Sequence, residues 1–463
     1  MSQVNYDLIV IGGGHAGLTA AICAAEKGCS VCVLEVSPKS LRGGNSRHTR
    51  NLRPMHENEF FPMEGRYDFD EYMEDFLRVT QGDTNKALAT LTLKHSAYSV
   101  QWLQDHGVAF QPPLGGTLHL GRTNAFFLGG GKALINSLFR CAKKLGVETI
   151  YDVKDLTLEI PQGRFKSLSY VNDNQPFTMT AKALVAAAGG FEANIEWLSE
   201  AWGDVAKNFI IRGTPYNRGD ILKQLLTAGA EQVGDAKQCH AVAVDGRAPK
   251  FDGGICSRVD CVSLGIVVNR SAKRFYDEGE DFWPKRYAIW GRLVAQQPDQ
   301  IAYSIIDSQA DGLFMPTVFK PVQADTIFDL ARLIGLDPEH LEATITAYNK
   351  AVRESEFNHQ TLDDCHTEGL DIPKSHWARR IDKPPFKAYA LRPGITFTYL
   401  GVKVNDRAQV LWNDGQPCEN IFAAGEIMAG NVLGRGYLAG IGMTIGSVFG
   451  RIAGREVADY VYR

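Results

Sequence analysis

The stretch Gly12-Gly13-Gly14-His15-Ala16-Gly17 lies between an apolar run at residues 8–11 and a helix-like segment at residues 18–22. A glycine turn between a strand and a helix is typical of a dinucleotide site, because its free N–H groups and the positive end of the helix dipole attract a pyrophosphate. A second apolar run, residues 31–34, ends on Glu35, near the spacing of roughly 20 residues at which an acid binds ribose hydroxyls. The predicted nucleotide contacts are Gly12, Gly14, His15, Ala16, Gly17 and Glu35.

Length and composition narrow the class of protein. The 463 residues exceed what one hydrophobic core organises, so we expect two domains, and 44% hydrophobic with 22% charged residues is typical of a soluble globular chain. A net charge of -4 argues against nucleic-acid binding, which needs a basic excess. The chain has no apolar run of about 18 residues, and its first strand starts by Tyr6. The sequence therefore predicts no transmembrane segment, no signal peptide, and a cytoplasmic enzyme.

The nine cysteines are scattered without a pairing framework, which is typical of a reducing compartment. Cys29 and Cys32 have the C-x-x-C spacing, but Cys32 falls inside the second apolar strand and Cys29 in the turn before it. Packing is therefore favoured over redox or metal chemistry for this pair. No metal site is predicted.

A basic segment follows the nucleotide motif. Residues 41–53 hold four arginines and one histidine, with no acid before Glu57. A charge run is most often a solvated face, but this one is joined to the turn Gly43-Gly44 just after the predicted ribose-binding acid. That position favours an anion site for cofactor phosphates, for a carboxylate substrate, or for both.

The amino-acid composition of the sequence changes near residue 241. Residues 241–393 carry prolines, tryptophans and many charges, which indicates an inserted α+β domain. Nucleotide-fold character returns with a strand at 420–424 that runs into a glycine turn, and with a glycine-rich helix over 436–458. We therefore expect a Rossmann-like α/β domain formed by residues 1–240 and 394–463, with a capping domain of residues 241–393.

Taken in order, these segments resemble the flavoprotein family of fumarate reductase, succinate dehydrogenase and 3-ketosteroid dehydrogenase. The resemblance covers nearly the whole chain and rests on the glycine motif with Glu35, residues 43–46, residues 187–191, Gly219-Asp220, Gly425-Glu426 and residues 437–446. It implies an extended FAD, held without a covalent link to the nearby His48, and a second domain that caps the isoalloxazine ring. The further cofactor contacts that it implies are Gly43, Gly44, Asn45, Ser46, Ala188, Gly189, Asp220, Gly425, Glu426, Gly442, Met443, Thr444 and Ile445.

The resemblance also implies substrate-binding and catalytic residues. His240 matches the family histidine that binds a substrate carboxylate at the start of the capping domain, with a hinge histidine as the other interpretation. Glu278 closes an R-F-x-x-E element and becomes a candidate member of a proton path. Fumarate reductases carry an arginine proton donor where residues 306–310 hold none, so Arg286, and after it Tyr437, is the predicted proton acceptor. The predicted substrate-binding residues are His240, Arg435, Arg50 and Thr398.

The implied activity is an FAD-dependent dehydrogenase that desaturates a tricarboxylate. The concentration of arginines favours a carboxylate over a steroid, which needs an apolar slot. Two alternatives stay open: another flavin oxidoreductase of the family, acting on a fumarate-like acid or a steroid enone, and a non-catalytic flavin electron-transfer subunit. Because the chain has no cluster-type cysteine spacing, we expect electrons to pass to a separate membrane-associated iron–sulfur protein, with this chain peripheral at the inner membrane face.

Overall fold

The computed structural model describes residues 4–113, 120–251 and 257–463. Its helices are α1 (His15–Glu26), α2 (Phe69–Thr80), α3 (Lys86–Ser96), α4 (Ser99–Asp105), α5 (Gly130–Lys144), α6 (Ile195–Trp202), α7 (Asp220–Thr227), α8 (Trp283–Ala295), α9 (Ile327–Ile334), α10 (Pro338–Ala351) and α11 (Ile441–Val461). Its strands are β1 (Val4–Ile11), β2 (Val31–Leu34), β3 (Asn51–Leu52), β4 (Ala125–Phe126), β5 (Glu148–Ile150), β6 (Lys154–Glu159), β7 (Ser167–Asn172), β8 (Gln175–Ala186), β9 (Ile210–Ile211), β10 (Gln232–Val233), β11 (Cys239–Asp245), β12 (Ile266–Asn269), β13 (Ala302–Ile306), β14 (Val322–Ala324), β15 (Val352–Arg353), β16 (His366–Thr367), β17 (Phe386–Thr398), β18 (Gly401–Val402), β19 (Gln409–Leu411) and β20 (Pro417–Ala423).

The first sheet has a parallel core, with strand order β19-β20-β8-β1-β2-β5 and with β7 pairing to both β8 and β6. In this core Ile11 of β1 lies opposite Leu34 of β2 and Ala186 of β8, and Ala423 of β20 lies opposite Ala186 in turn. Each of these four residues ends its strand, so four carboxyl ends meet at one edge, where open α/β sheets bind their ligands. The expected Rossmann-like fold is confirmed.

Helices α1 and α11 cross in close contact beside this sheet. A Cβ atom at Gly450 would lie 2.7 Å from the carbonyl oxygen of Ala16, and one at Gly454 would lie 2.4 Å from that of Ala20. The glycines of the last helix therefore allow two helix backbones to approach each other, which is a packing role. This contact holds the start of α11 next to the nucleotide motif.

The second sheet has strand order β11-β17-β13-β12, with β9 and β14 also paired to β17. Helix α8 packs on one part of it through Trp290, and α9 and α10 pack on another through Leu330 and Tyr348. The sheet is wider than residues 241–393, because β9 joins it, β11 begins at Cys239 and β17 continues to Thr398. Strand β17 thus runs directly from the second sheet toward the carboxyl edge of the first.

Within the described ranges, no helix has the length and apolar character needed to cross a membrane. The eight cysteines of those ranges form no disulfide, and Cys29 and Cys32 are both buried at β2. Burial raises the pKa of the Cys32 thiol to about 12, which keeps it protonated. These surroundings support packing as the role of the C-x-x-C pair.

Candidate cofactor and substrate site

A cavity of about 1140 Å³ opens at the carboxyl edge of the first sheet. Ile11, Leu34 and Ala424 line it at or just beyond the ends of three parallel strands, and residues 153–158 and Thr396-Phe397 line its sides. Ligand pockets commonly measure about 300–1,000 Å³, so this cavity has room for a large ligand such as a dinucleotide.

The glycine motif shapes the floor of the cavity. Gly12 has a φ of 104°, and a Cβ atom there would lie 2.3 Å from the carbonyl oxygen of Ala187. A Cβ atom at Gly17 would lie 2.0 Å from the carbonyl oxygen of Gly12. Gly14 differs: it caps α1 with a φ of -75°, and the nearest atom to its Cβ position is Ser46 Oγ at 3.6 Å. Gly12 and Gly17 are thus required by the fold, whereas Gly14 leaves open space for a ligand at the helix N-terminus.

Glu35 and His15 occupy the positions expected of nucleotide contacts. Glu35 is buried at the cavity wall, where its Oε2 accepts a hydrogen bond from the N–H of Gly13 at 2.9 Å. Neither ring nitrogen of His15 has a hydrogen-bond partner among the described residues. Burial lowers the pKa of His15 to about 3, so its imidazole is neutral.

Most predicted cofactor contacts line the cavity, and four lie behind its wall. Those in the wall are Gly12, Gly14, His15, Ala16, Glu35, Gly44, Asn45, Ser46, Ala188, Gly189, Asp220, Gly425, Glu426, Gly442 and Met443. Those behind it are Gly17, Gly43, Thr444 and Ile445. Thr444 bonds within the protein: its N–H donates to the carbonyl of Gly440 and its hydroxyl donates to the carbonyl of Arg53. The open glycine cradle, the ribose-type carboxylate and the volume together fit FAD.

A cationic cluster lies beyond the wall formed by Thr396 and Tyr437, and we call it the basic cluster. It consists of Arg50, Arg212, Arg258 and His240. Arg212 Nη1 donates to Thr396 Oγ1 at 3.1 Å, which places this guanidinium directly behind a cavity-lining residue.

Burial and neighbouring like charges destabilise the charged forms of two arginines in the basic cluster. Burial and the neighbouring Arg258 lower the pKa of Arg50 to about 9 and that of Arg212 to about 10. Arg258 itself forms an ion pair with Asp260, with Nε and Oδ1 2.6 Å apart. The charge of Asp260 also acts on Arg50 and Arg212, so this carboxylate belongs with the basic cluster. An anion bound here would relieve the repulsion among the three guanidinium groups.

His240 and Tyr437 connect the basic cluster to the cavity. Their rings are stacked, and the Tyr437 hydroxyl accepts a hydrogen bond from the N–H of Gly442 at 3.2 Å. Burial, Arg212 and Arg258 lower the pKa of His240 well below its usual value, and its Nδ1 has no partner in the described ranges. The assignment of His240 to a substrate carboxylate stays a prediction.

Other residues predicted for this site are engaged elsewhere. Thr398 donates its N–H to Glu426 Oε1 at 2.8 Å, so it supports a cofactor contact and is separate from the basic cluster. Arg286 is bound to Glu280 and to the Tyr276 hydroxyl and does not line the cavity. Despite burial, the bonds to Glu280 raise the pKa of Arg286, which disfavours loss of its proton.

Glu278 and Arg435 also lie outside the cavity wall. Glu278 is buried against Arg274, with a carboxylate oxygen 2.6 Å from Nη2, and it accepts the N–H of Val267 at 2.8 Å. Arg435 is half-buried and has no hydrogen bond or ion pair within the described residues. Of the residues predicted for chemistry, the structure therefore brings together Arg50, His240 and Tyr437.

The sequence predictions do not include Arg212 and Arg258 of the basic cluster. They also do not include Thr396, which binds Arg212. Arg212 follows the two-residue strand β9, and Arg258 lies in a loop after β11. Neither belongs to a recognisable motif, and their burial depends on how β9, β11 and β17 pair. The local signal available was the i, i+2 spacing of Arg258 and Asp260, which occurs in many unrelated loops.

Comparisons with known proteins agree with this geometry. The profile of the FAD binding domain family matches residues 7–443. The NADH:fumarate oxidoreductase of Klebsiella pneumoniae (strain 342) is 27% identical over 98% of this chain and 48% of its own length, and the NADH:acrylate oxidoreductase of Vibrio harveyi is 25% identical over 99% and 51%. This chain thus spans about half the length of these two relatives.

A solved structure of the open conformation of a flavocytochrome c3 fumarate reductase superposes with a TM-score of 0.75. It is 23% identical and covers 99% of this chain and 79% of the other, which shows a shared fold. The cavity, the glycine cradle and the family match point to one conclusion: the chain belongs to the FAD binding domain family, and FAD is its cofactor.

Proposed function

We propose that this protein is a flavin-dependent oxidoreductase that transfers hydrogen at a carbon–carbon bond next to a carboxylate group. The observation that carries the proposal is the basic cluster, in which the guanidinium groups of Arg50, Arg212 and Arg258 lie together directly behind the cofactor cavity. Bound FAD would supply a hydride acceptor at the cavity, and the cluster would hold an anionic substrate against it. The two named relatives, which act on fumarate and on acrylate by their names, support this class of substrate.

The substrate that we propose is a tricarboxylate, with oxidation of tricarballylate to cis-aconitate as the reaction. Three arginines can each bind a carboxylate in a bidentate manner, which fixes the position of the carbon skeleton as well as its charge. Arg50 belongs to the segment 42–53, whose sequence resembles that of tricarballylate dehydrogenase. A steroid carries no negative charge that could bind to these arginines.

Tyr437 is the residue that we propose to accept the substrate proton. Its ring lines the cavity and stacks on His240, and its hydroxyl accepts the N–H of Gly442 at the start of α11. Burial raises the pKa of Tyr437, and the N–H of Gly442 and the charge of Arg212 oppose this rise. Arg286, which the sequence favoured for this role, is held in its charged form by Glu280.

We further propose that the electrons leave to a separate membrane-associated iron–sulfur protein, with this chain acting from the cytoplasmic side of the inner membrane. The proposal is supported by the nine cysteines of this sequence, which have no spacing typical of iron–sulfur cluster ligands. The reductive direction, with an unsaturated acid as substrate, is the second candidate, because both named relatives take unsaturated acids by name.

Anaerobic mixing of the oxidised flavoprotein with tricarballylate tests the proposal. We expect bleaching of the flavin absorbance band by tricarballylate, and a much slower response in the Arg212→Gln protein. Addition of fumarate, acrylate or cis-aconitate to the photoreduced protein tests the reductive direction through recovery of the band. A flavoprotein that responds to none of these acids in either direction would contradict the proposed function and would favour an electron-transfer subunit.

A further inference from the structure

Two buried carboxyl groups meet at the wall of the cofactor cavity. Glu192 follows β8 and Glu426 follows β20, and the parallel pairing of these strands brings both side chains to the same edge of the sheet. Glu192 has no exposed surface, whereas Glu426 lines the cavity. Thr398 links the two segments, because its hydroxyl donates to Glu426 Oε1 and accepts the N–H of Phe191, the residue before Glu192. Two ionised carboxylates in one buried site repel each other, which favours retention of a proton by the pair.

The remaining partners of Glu192 fix its orientation. Its Oε1 accepts hydrogen bonds from Asn45 Nδ2 at 2.5 Å and from Asn217 Nδ2 at 2.7 Å. No N–H or O–H group of the described residues reaches its Oε2. A proton held by the pair would supply the hydrogen that this buried oxygen lacks, since an unsatisfied oxygen is costly.

The surroundings of the pair bring no positive charge into contact with it among the described residues. The groups that face it are the amides of Asn45 and Asn217, the N–H and hydroxyl of Thr398, and the ring of Tyr437, on which the charge of Glu426 acts. Arg212 is separated from it by Thr396. Burial raises the pKa of Glu192 to about 7, and burial together with Glu192 raises that of Glu426 well above its usual value. Burial and the mutual repulsion of the two groups thus favour a pair that holds one proton.

We propose that Glu192 and Glu426 take up a second proton from solvent when the cofactor is reduced, which neutralises the negative charge that arrives at the cavity. Reduction of the cofactor itself requires two electrons and one proton. In addition, one proton from solvent adds to a carboxylate oxygen of the pair, and no other bond forms or breaks. Glu192 touches neither the cavity nor the reacting atoms and is a positioning residue that acts through Glu426. The proposal rests on FAD as the cofactor and is independent of the substrate.

The experiment is a spectroelectrochemical titration of the flavoprotein at several pH values above 7. For a two-electron couple, each proton taken up lowers the midpoint potential by about 30 mV per pH unit. We expect the midpoint potential of the parent to fall with pH by the amount that corresponds to two protons, and that of Glu192→Gln to fall by half as much. Asp245→Asn is the matched control, because Asp245 is another buried carboxylate, paired with Arg247 in the second sheet, and this variant should keep the parent slope.

Infrared difference spectra of the unaltered protein, reduced minus oxidised, provide a second readout if Glu192→Gln fails to retain FAD. Reduction should add the carbonyl band of a buried protonated carboxyl group. Equal slopes in the parent and Glu192→Gln, or a carboxyl region unchanged by reduction, would overturn the proposal. Either result is independent of whether tricarballylate bleaches the flavin, so this inference and the proposed function can fail separately.

Discussion

The imidazole of His240 and the phenol ring of Tyr437 are stacked face to face, with ring centroids 3.8 Å apart and an angle of 4° between the planes. His240 belongs to β11 of the second sheet, and Tyr437 to the loop before α11 beside the first. This contact therefore joins the basic cluster to the cofactor cavity. Because burial and two arginines keep His240 neutral, the stack brings no further positive charge to the cluster.

The stack yields a prediction about proton transfer. Tyr437→Phe keeps the ring and removes the hydroxyl, so we expect full FAD content and a rate of flavin reduction at saturating substrate that is lower by about 10²–10⁴-fold. Arg286→Lys is the control, because Arg286 is paired with Glu280 outside the cavity wall, and it should reduce at the parent rate. Stopped-flow measurement of flavin reduction in both variants shows which residue accepts the proton. Slow reduction in Arg286→Lys with normal reduction in Tyr437→Phe would restore Arg286 as the proton acceptor.

A second prediction concerns the basic cluster. Arg212→Gln should weaken substrate binding by about 2–5 kcal/mol, the range measured when one partner of a buried charge pair is truncated. The binding change is measured from the substrate dependence of flavin reduction.

Arg435→Ala is the comparison for this prediction, because Arg435 has no ion pair within the described residues and was expected from the sequence to bind substrate. We expect a smaller loss of affinity than for Arg212→Gln. If Arg435→Ala costs more, the substrate lies nearer to residue 435 than to the basic cluster.

The third prediction separates cofactor binding from folding. Gly14→Val should give a folded protein without flavin, because the space around its Cβ position is open and the residue has an ordinary φ. Gly17→Ala should fail to fold or lose much stability, because its Cβ would lie 2.0 Å from the carbonyl oxygen of Gly12. Circular dichroism and the flavin absorbance of the purified variants measure the two properties, and a Gly14→Val protein with full flavin content would contradict the assignment of the cradle.

A fourth prediction follows from the buried neutral histidine at residue 15. Its pKa is about 3 in the folded protein and 6.5 ordinarily, so below 6.5 the unfolded chain binds a proton that the folded chain does not. Stability therefore falls as pH decreases from 6.5 toward 3, by about 1.4 kcal/mol per pH unit for this group. Urea unfolding of the FAD-free protein should show a shallower pH dependence for His15→Leu, which loses no side-chain hydrogen bond. An unchanged dependence would assign the acid sensitivity to other groups.

The cofactor half of the site follows from the sequence because its residues are neighbours in the chain. The strand, the turn at Gly12–Gly14 and α1 are consecutive, and Glu35 ends the next strand, so local geometry decides where these groups lie. The same holds for Gly425-Glu426, which directly follows β20. The positive φ of Gly12 is required by the turn and depends on few neighbouring residues. A short sequence motif is therefore enough to predict it.

Arg50 and His240 of the basic cluster were expected from the sequence, but Arg212 and Arg258 were identified by the tertiary structure alone. The chain carries many arginines, and the sequence does not show which of them lose water and which acquire a carboxylate partner. Arg286 meets Glu280 and stays an ordinary ion pair, whereas Arg212 and Arg258 are buried together because β9 and β11 both pair with β17. Desolvation and charge pairing arise from contacts between distant segments, so only the folded chain selects the cations that form the basic cluster.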